Sequence, residues 1–276
     1  MKTVLVATDF SSASLNAANY AADMALAINA NVHLLHVYQT PVIYLEVPVA
    51  VNTEDIKREA EKSMNRLREE LIRRMGSKLK IDSEVLMGSF FPELESVCNR
   101  ITPYTVVMGS QGTTAAERVF FGEHATYAMK HLQWPLITVP VGAVFLSIKK
   151  IALACDFHIA VDSIPIEQIK LLVNDFDATL NVINAGKQGE FDPEIVFESG
   201  LLEEKLAPVE PHFNFISETD ADKGILEFAE NNNVDLLIVL PKPHGLFDRL
   251  VHKSHINQLV RHSPVPVMAL QVLSAR

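Results

Sequence analysis

The chain states one pattern twice, and that repetition constrains its fold more than any other feature. Lys2–Ser11 reads KTVLVATDFS, and Lys149–His158 reads KKIALACDFH. Each is a basic residue, a short apolar run and an A-x-D-F tetrapeptide, so Asp9 and Asp156 stand about half a chain apart. The ends of the halves also match. YTVVMGS and WPLITVPV in the first parallel DLLIVLPK and SPVPVMALQV in the second. A period this long is a domain duplication, not the short period of a solenoid. Half of 276 residues is enough to bury a core. The boundary is expected near Val144–Ser147, giving domains 1–145 and 146–276.

Within each half, strand-like and helix-like patterns alternate. In the first, β-branched apolar runs predict strands over Lys2–Thr8, Val32–Val37, Lys80–Leu86, Thr105–Met108 and Leu136–Pro140. Helical spacing predicts helices over Ser12–Ala30, Thr53–Met75, Pro92–Ile101 and Gly122–His131. The second half repeats the order. Strands are expected over Ile151–Cys155, Thr179–Asn184, His212–Ile216, Asp235–Leu240 and Val265–Val272. Helices are expected over Pro165–Asn174, Phe191–Leu206, Ala221–Asn231 and Leu246–His262. The first half is longer mainly through a Pro/Val-rich insertion, residues 39–52, that could cover a cleft or an interface. Alternation of this kind predicts an α/β fold: two doubly wound, parallel-sheet domains in tandem. Ligands of such sheets sit beyond the carboxyl ends of the strands, where Asp9, Val37 and Met108–Gly109 fall. The apolar last strands would expose edges if left alone, so they are expected to pair within or between chains.

Charge and composition narrow the function. The formal net charge of −10 disfavours non-specific binding to nucleic acid or anionic membranes. No apolar run reaches the length of a membrane span, and the apolar start is too short for a signal peptide, so a cytoplasmic protein is expected. Cys98 and Cys155 are too few for a disulfide framework and sit in apolar settings. The basic residues of EDIKREAEKSMNRLREELIRR are balanced by glutamates at helical spacing, which makes a solvated helix face. His252 and His255, with His244 and His262 nearby, lack both the H-E-x-x-H spacing and a cysteine, so no metal site is expected. His33 and His36 lie in a strand and are expected to find local partners. No catalytic triad or acid–base pair of carboxylates is readable, so an enzyme is not expected.

The stretch from Met108 to His131, MGSQGTTAAERVFFGEHATYAMKH, carries the chemistry. The P-loop, the dinucleotide fingerprint and the nucleophile elbow are all absent. What exists is Gly109-x-x-Gly112, nine residues, then Gly122, leaving a strand and entering a helix. Glycines let backbone approach a ligand, and a helix N-terminus offers N–H groups to an anion. The same glycines also serve as plain turn residues, and Asp9 as a helix N-cap.

These residues, the strand order and the repeat together resemble the universal stress protein family, over nearly the whole chain and as a tandem of two such domains. Nucleotide-binding members carry G-x2-G-x9-G-[S/T]; here the stretch reads GSQGTTAAERVFFG-E. The resemblance implies an adenine nucleotide alpha hydrolase-like fold, adenine-nucleotide binding in a subset, and pairing through the last strand. It implies that Asp9 and Val37 contact the nucleoside, beside Met108, and that Gly109, Gly112 and Gly122 contact ribose and phosphate. The ligand it implies is ATP or AMP with Mg2+. The partners it implies are the two tandem domains themselves and a homodimer, with other protein partners unspecified.

One departure is sharp. Glu123 stands where the family has Ser or Thr. A carboxylate about 4 Å from one phosphate charge repels it by roughly 4 kcal/mol at an effective dielectric of about 20. Mg2+ or Arg118 could offset that. Otherwise Glu123 is an internal anion that fills the phosphate place, favourable at a helix start, and the chain is a nucleotide-free scaffold. A weak ATPase is the third reading. In the second half, Leu240, Pro243 and Lys253 take the glycine positions and only Ser254 remains. Pro243 also removes an N–H donor, so that half is not expected to bind ATP in the family manner.

Overall fold

The computed structural model describes residues 1–39, 53–110, 124–157, 161–185, 193–216, 220–241 and 255–272. In the first half, β1 (Thr3–Ala7), α1 (Ser12–Ala27), β2 (Asn31–Tyr38), α2 (Thr53–Met75), β3 (Ile81–Met87), α3 (Phe90–Ile101) and β4 (Thr105–Gly109) follow in order. Helical residues 124–131 (α4) and β5 (Leu136–Val139) close it. The second half runs β6 (Lys150–Ala154), α5 (Ile166–Phe176), β7 (Thr179–Ala185), α6 (Pro193–Leu206), β8 (His212–Ile216), α7 (Ala221–Asn231), β9 (Leu236–Val239), α8 (His255–His262) and β10 (Val267–Ala269).

All ten strands form one sheet, in the order β3-β2-β1-β4-β5-β10-β9-β6-β7-β8. Each half contributes five parallel strands. The seam between them is antiparallel, with Thr138 opposite Val267, Ile137 opposite Met268 and Leu136 opposite Ala269. The strands are apolar on both sides because helices cover both faces. One core lies under α1, α2, α5 and α6; the other lies under α3, α4, α7 and α8. Each core continues across the seam, where β5 meets β10, so the interiors of the two halves are joined.

Local chemistry explains where the elements stop. α1 ends at Ala27, short of the expected Ala30, because Asn29 turns left-handed at φ 52. β10 runs only from Val267 to Ala269, and its start falls after the expected Val265 because Pro266 cannot donate to a ladder. α3 starts at Phe90, ahead of Pro92, since a first-turn proline loses no helical bond. α2 keeps Ala60, Met64, Leu67, Leu71 and Met75 on its buried face, while Lys57–Glu61 and Lys62–Glu59 pair on its solvated one. The insertion beyond Gln39, the start of the expected helix at 122, and the part of the expected helix 246–262 before His255 lie outside the described residues.

The connection from β5 to β6 contains the expected boundary and is tied to both halves. Asn16 donates from Nδ2 to the carbonyls of Pro140 (3.3 Å) and Ala143 (3.1 Å). Phe145 packs edge-on against Tyr20 and near Phe176. Beside it, the Tyr104 hydroxyl donates to Asp175 Oδ2 at 2.8 Å, and Lys2 pairs with Asp175 while lying over the Tyr104 ring. Burial and then the Asp175 bond push the Tyr104 phenol well above its ordinary range, so it stays a donor at every physiological pH. Tyr104→Phe is expected to lower unfolding free energy by about 1 kcal/mol, measured by urea denaturation, because one half-buried bond across the halves is lost.

Cys98 and Cys155 are both buried, and burial pushes the Cys98 thiol up to about 12. No helix among the described residues is long and apolar enough to cross a membrane.

Candidate functional site

In the first half the order β3-β2-β1-β4-β5 places the switch point between β1 and β4. The chain winds outward from β1 through β2 to β3, then crosses back to β4. The helices that leave β1 and β4 therefore diverge and open a crevice at their carboxyl ends. Asp9 follows β1, Val37 lies near the end of β2, and Met108 and Gly109 end β4. Three neighbouring strands thus bring these four residues to one edge of the sheet. The Met108 side chain is fully buried and Val37 packs on the same core, so both can offer the crevice backbone more than side chain. Gly112, Arg118, Gly122 and Glu123 lie outside the described residues.

The turn after β1 is heavily cross-linked. Thr8 Oγ1 meets Ser14 Oγ at 3.0 Å and accepts from Phe10 N at 3.0 Å. Asp9 Oδ1 accepts from Ser11 N at 3.0 Å. The N-cap of α1 is Ser11, whose side chain accepts from Ser14 N, so the helix cap is Ser11 and not Asp9. Phe10 sits in the left-handed region at φ 66, uncommon for an aromatic residue.

Gly109 has a steric reason. A Cβ there would meet the Ala13 carbonyl carbon at 2.9 Å, its oxygen at 3.0 Å and Ser14 N at 3.2 Å. The first turn of α1 therefore lies directly on the end of β4, with no side chain between. That close approach brings the N-terminus of α1 to the crevice.

The second half shows what happens without the glycine. Strand registers make Val107 equivalent to Ile238 and Val6 equivalent to Leu153, which puts Leu240 at the Gly109 position and Asp156 at the Asp9 position. The Leu240 side chain packs on the core where α1 would lie. Accordingly α5 starts only at Ile166, ten residues after Asp156, whereas α1 starts three after Asp9. Among the described residues, the second strand end has no α-helix starting as close to it as α1 starts to Asp9.

Sequence reasoning assigns no role at the first site to three groups that the structure brings into view. His36, on β2, places Nδ1 2.7 Å from the Thr8 carbonyl, and its ring lies 4.5 Å from the Phe10 ring. Burial lowers its pKa, against opposing effects of the Thr8 bond and of Asp9. Ser14 is fully buried. Thr126, in the first turn of α4, has a buried hydroxyl with no hydrogen-bond partner among the described residues. An orphaned hydroxyl is invisible in sequence, because burial and partners both depend on the folded neighbours. His33 instead reaches Glu84 at 2.7 Å, which also binds Arg100. Among the described residues no group of three or more His, Cys, Asp or Glu could hold a metal ion.

Fold and site together define a tandem of doubly wound α/β domains with a strand-end crevice in the first. The sequence profile of the Universal stress protein family matches residues 1–140 and 164–271. The chain belongs to the universal stress protein family. It is 27% identical over 141 residues to a universal stress protein of Methanocaldococcus jannaschii, covering 50% of this chain and 81% of that one. Among solved structures, a universal stress protein from Archaeoglobus fulgidus superposes with a TM-score of 0.75 at 19% identity, over 98% of both chains. A functionally unknown protein from Pseudomonas aeruginosa superposes at 0.61 and 11% identity, over 99% of this chain and 93% of its own.

Proposed function

We propose that this universal stress protein is a regulatory binding module whose first half takes an adenine nucleotide, ATP or AMP, at the crevice between β1 and β4. The observation that supports this most is the side-chain-free contact of Gly109 with Ala13 and Ser14. It seats a helix N-terminus beside Asp9 at the switch point, where partial positive charge and a carboxylate stand ready for phosphate and ribose. The second half, with Leu240 in that place and α5 set back, serves as structural partner. With ATP, Mg2+ would travel on the phosphates and offset Glu123.

Glu123 favours a second reading, a nucleotide-free scaffold in which its carboxylate fills the phosphate place. A slow ATPase would use the same crevice. Thermal denaturation with millimolar ATP or AMP, with and without Mg2+, separates these readings. The nucleotide sensor predicts a rise in Tm that disappears in Gly112→Val and in Asp9→Ala. No shift in the wild type, with a shift gained in Glu123→Ser, would establish the scaffold instead.

A further inference from the structure

The two halves repeat a hydrogen bond as well as a sequence. In the first, His36 Nδ1 lies 2.7 Å from the carbonyl of Thr8. In the second, Asn184 Nδ2 donates to the carbonyl of Cys155 at 3.1 Å. Registers make the pairs equivalent: Leu34 and Val182 occupy the same place, as do Val6 and Leu153. Both donors thus hold the carbonyl just before the strand-end aspartate. A carbonyl can only accept, so His36 carries its proton on Nδ1, and the bond fixes the tautomer.

We propose that His36 is a positioning residue for Asp9, and that its protonation makes nucleotide binding in the first half pH-dependent. This rests on the crevice reading above. The imidazole anchors the Thr8 carbonyl, and the Phe10 ring lies against it, which helps hold Phe10 at its left-handed φ. Those two residues bracket Asp9. Asn184 supplies the donor alone; His36 adds a second nitrogen that can take a proton.

The surroundings make Asp9 the group that would answer that proton. Among the described residues it is the charged side chain whose field acts on the imidazole. On β3 the register partner of His36 is Val85, and the neighbouring Glu84 is held by His33 and Arg100. The first turn of α1 offers serines, and the buried face of α2 offers Ala60, Met64 and Leu67. A proton on Nε2 would place a cation beside Asp9 and draw its carboxylate from the ligand. Burial already holds the histidine below its ordinary 6.5. A folded value below the unfolded one means the neutral form's contribution is complete above about 6.5 and is lost as the pH falls through the folded value. Binding follows the same sign.

The test uses the full chain, with AMP as probe, titrated calorimetrically between about pH 8 and 5.5. The wild type should lose affinity about fivefold or more towards acid. H36N, which keeps a donor as Asn184 does, should keep only the slope that the protonation of AMP's own phosphate at about pH 6 contributes, and retain more affinity at pH 8 than H36A. A slope as steep in H36N as in the wild type, or equal losses in H36N and H36A, would overturn the proposal. If the wild type binds no AMP at any pH, the nucleotide reading fails on its own. The positioning role is then decided by NMR. The Asp9 carboxyl carbon should shift with the His36 titration, and the step should vanish in H36N. A carboxyl signal indifferent to His36 sinks the proposal.

Discussion

Ile137→Asp is expected to unfold the whole chain rather than its first half. Ile137 is 1% exposed and lies at the centre of the sheet, with Val107 beside it on β4 and Met268 on β10. Its side chain belongs to the core that passes under α1 and α5 alike. A carboxylate placed there has no cation to pair with among its apolar neighbours, and such a group is among the most destabilising that a core can receive. The milder Ile137→Ala is expected to cost about 2–5 kcal/mol through lost burial and the cavity left behind. The readout distinguishes a shared core from two separate ones. Trp134, the chain's one tryptophan, reports on the first half just before β5, while far-ultraviolet dichroism reports on both. The two denaturation curves should coincide in the wild type and shift together in Ile137→Ala. A tryptophan transition that precedes a second, unshifted dichroism transition would show that the halves fold independently.

Gly109→Val is expected to do two things at once. The added Cβ would stand 2.9 Å from the Ala13 carbonyl carbon, so backbone must move rather than a side chain. Overpacking of this kind costs about 1–3 kcal/mol, and more where backbone has to shift. The shift pushes the N-terminus of α1 off the crevice, so under the proposed nucleotide reading affinity for AMP should fall further than stability alone explains. Gly109→Ala should fall between wild type and Val in both respects. Chemical denaturation and AMP titration of the three proteins check this; an alanine variant as stable as wild type would refute the close packing.

The sequence made much of this legible, for specific reasons. α2, β8 and α7 begin and end where periodicity and first-turn acids place them. Asp9 and Gly109 were found because an Asp at a strand end and a glycine before a loop stand out by type and position. Whether the last strands pair within the chain was left open, because apolar edges say that pairing is needed but not with what; the register of Met268 on Ile137 is a long-range fact. His36 escaped for a related reason. In a strand reading NVHLLHVY it looks like any half-buried histidine, and its partner is a carbonyl 28 residues away. Gly109 was read as a phosphate contact; that it also spaces α1 from β4 required the helix position.

The antiparallel seam has one more implication. Parallel strands in the two halves point opposite ways, so the two crevices open towards opposite ends of the sheet and no single small ligand can bridge them. In a symmetric homodimer, each substitution is expressed twice, once on either side of the axis. Here the pseudo-symmetric partner is part of the same polypeptide, and glycine at 109 coexists with leucine at 240. Covalent linkage thus permits an asymmetry that a pair of identical subunits cannot hold: one strand end can change while its rotated counterpart does not.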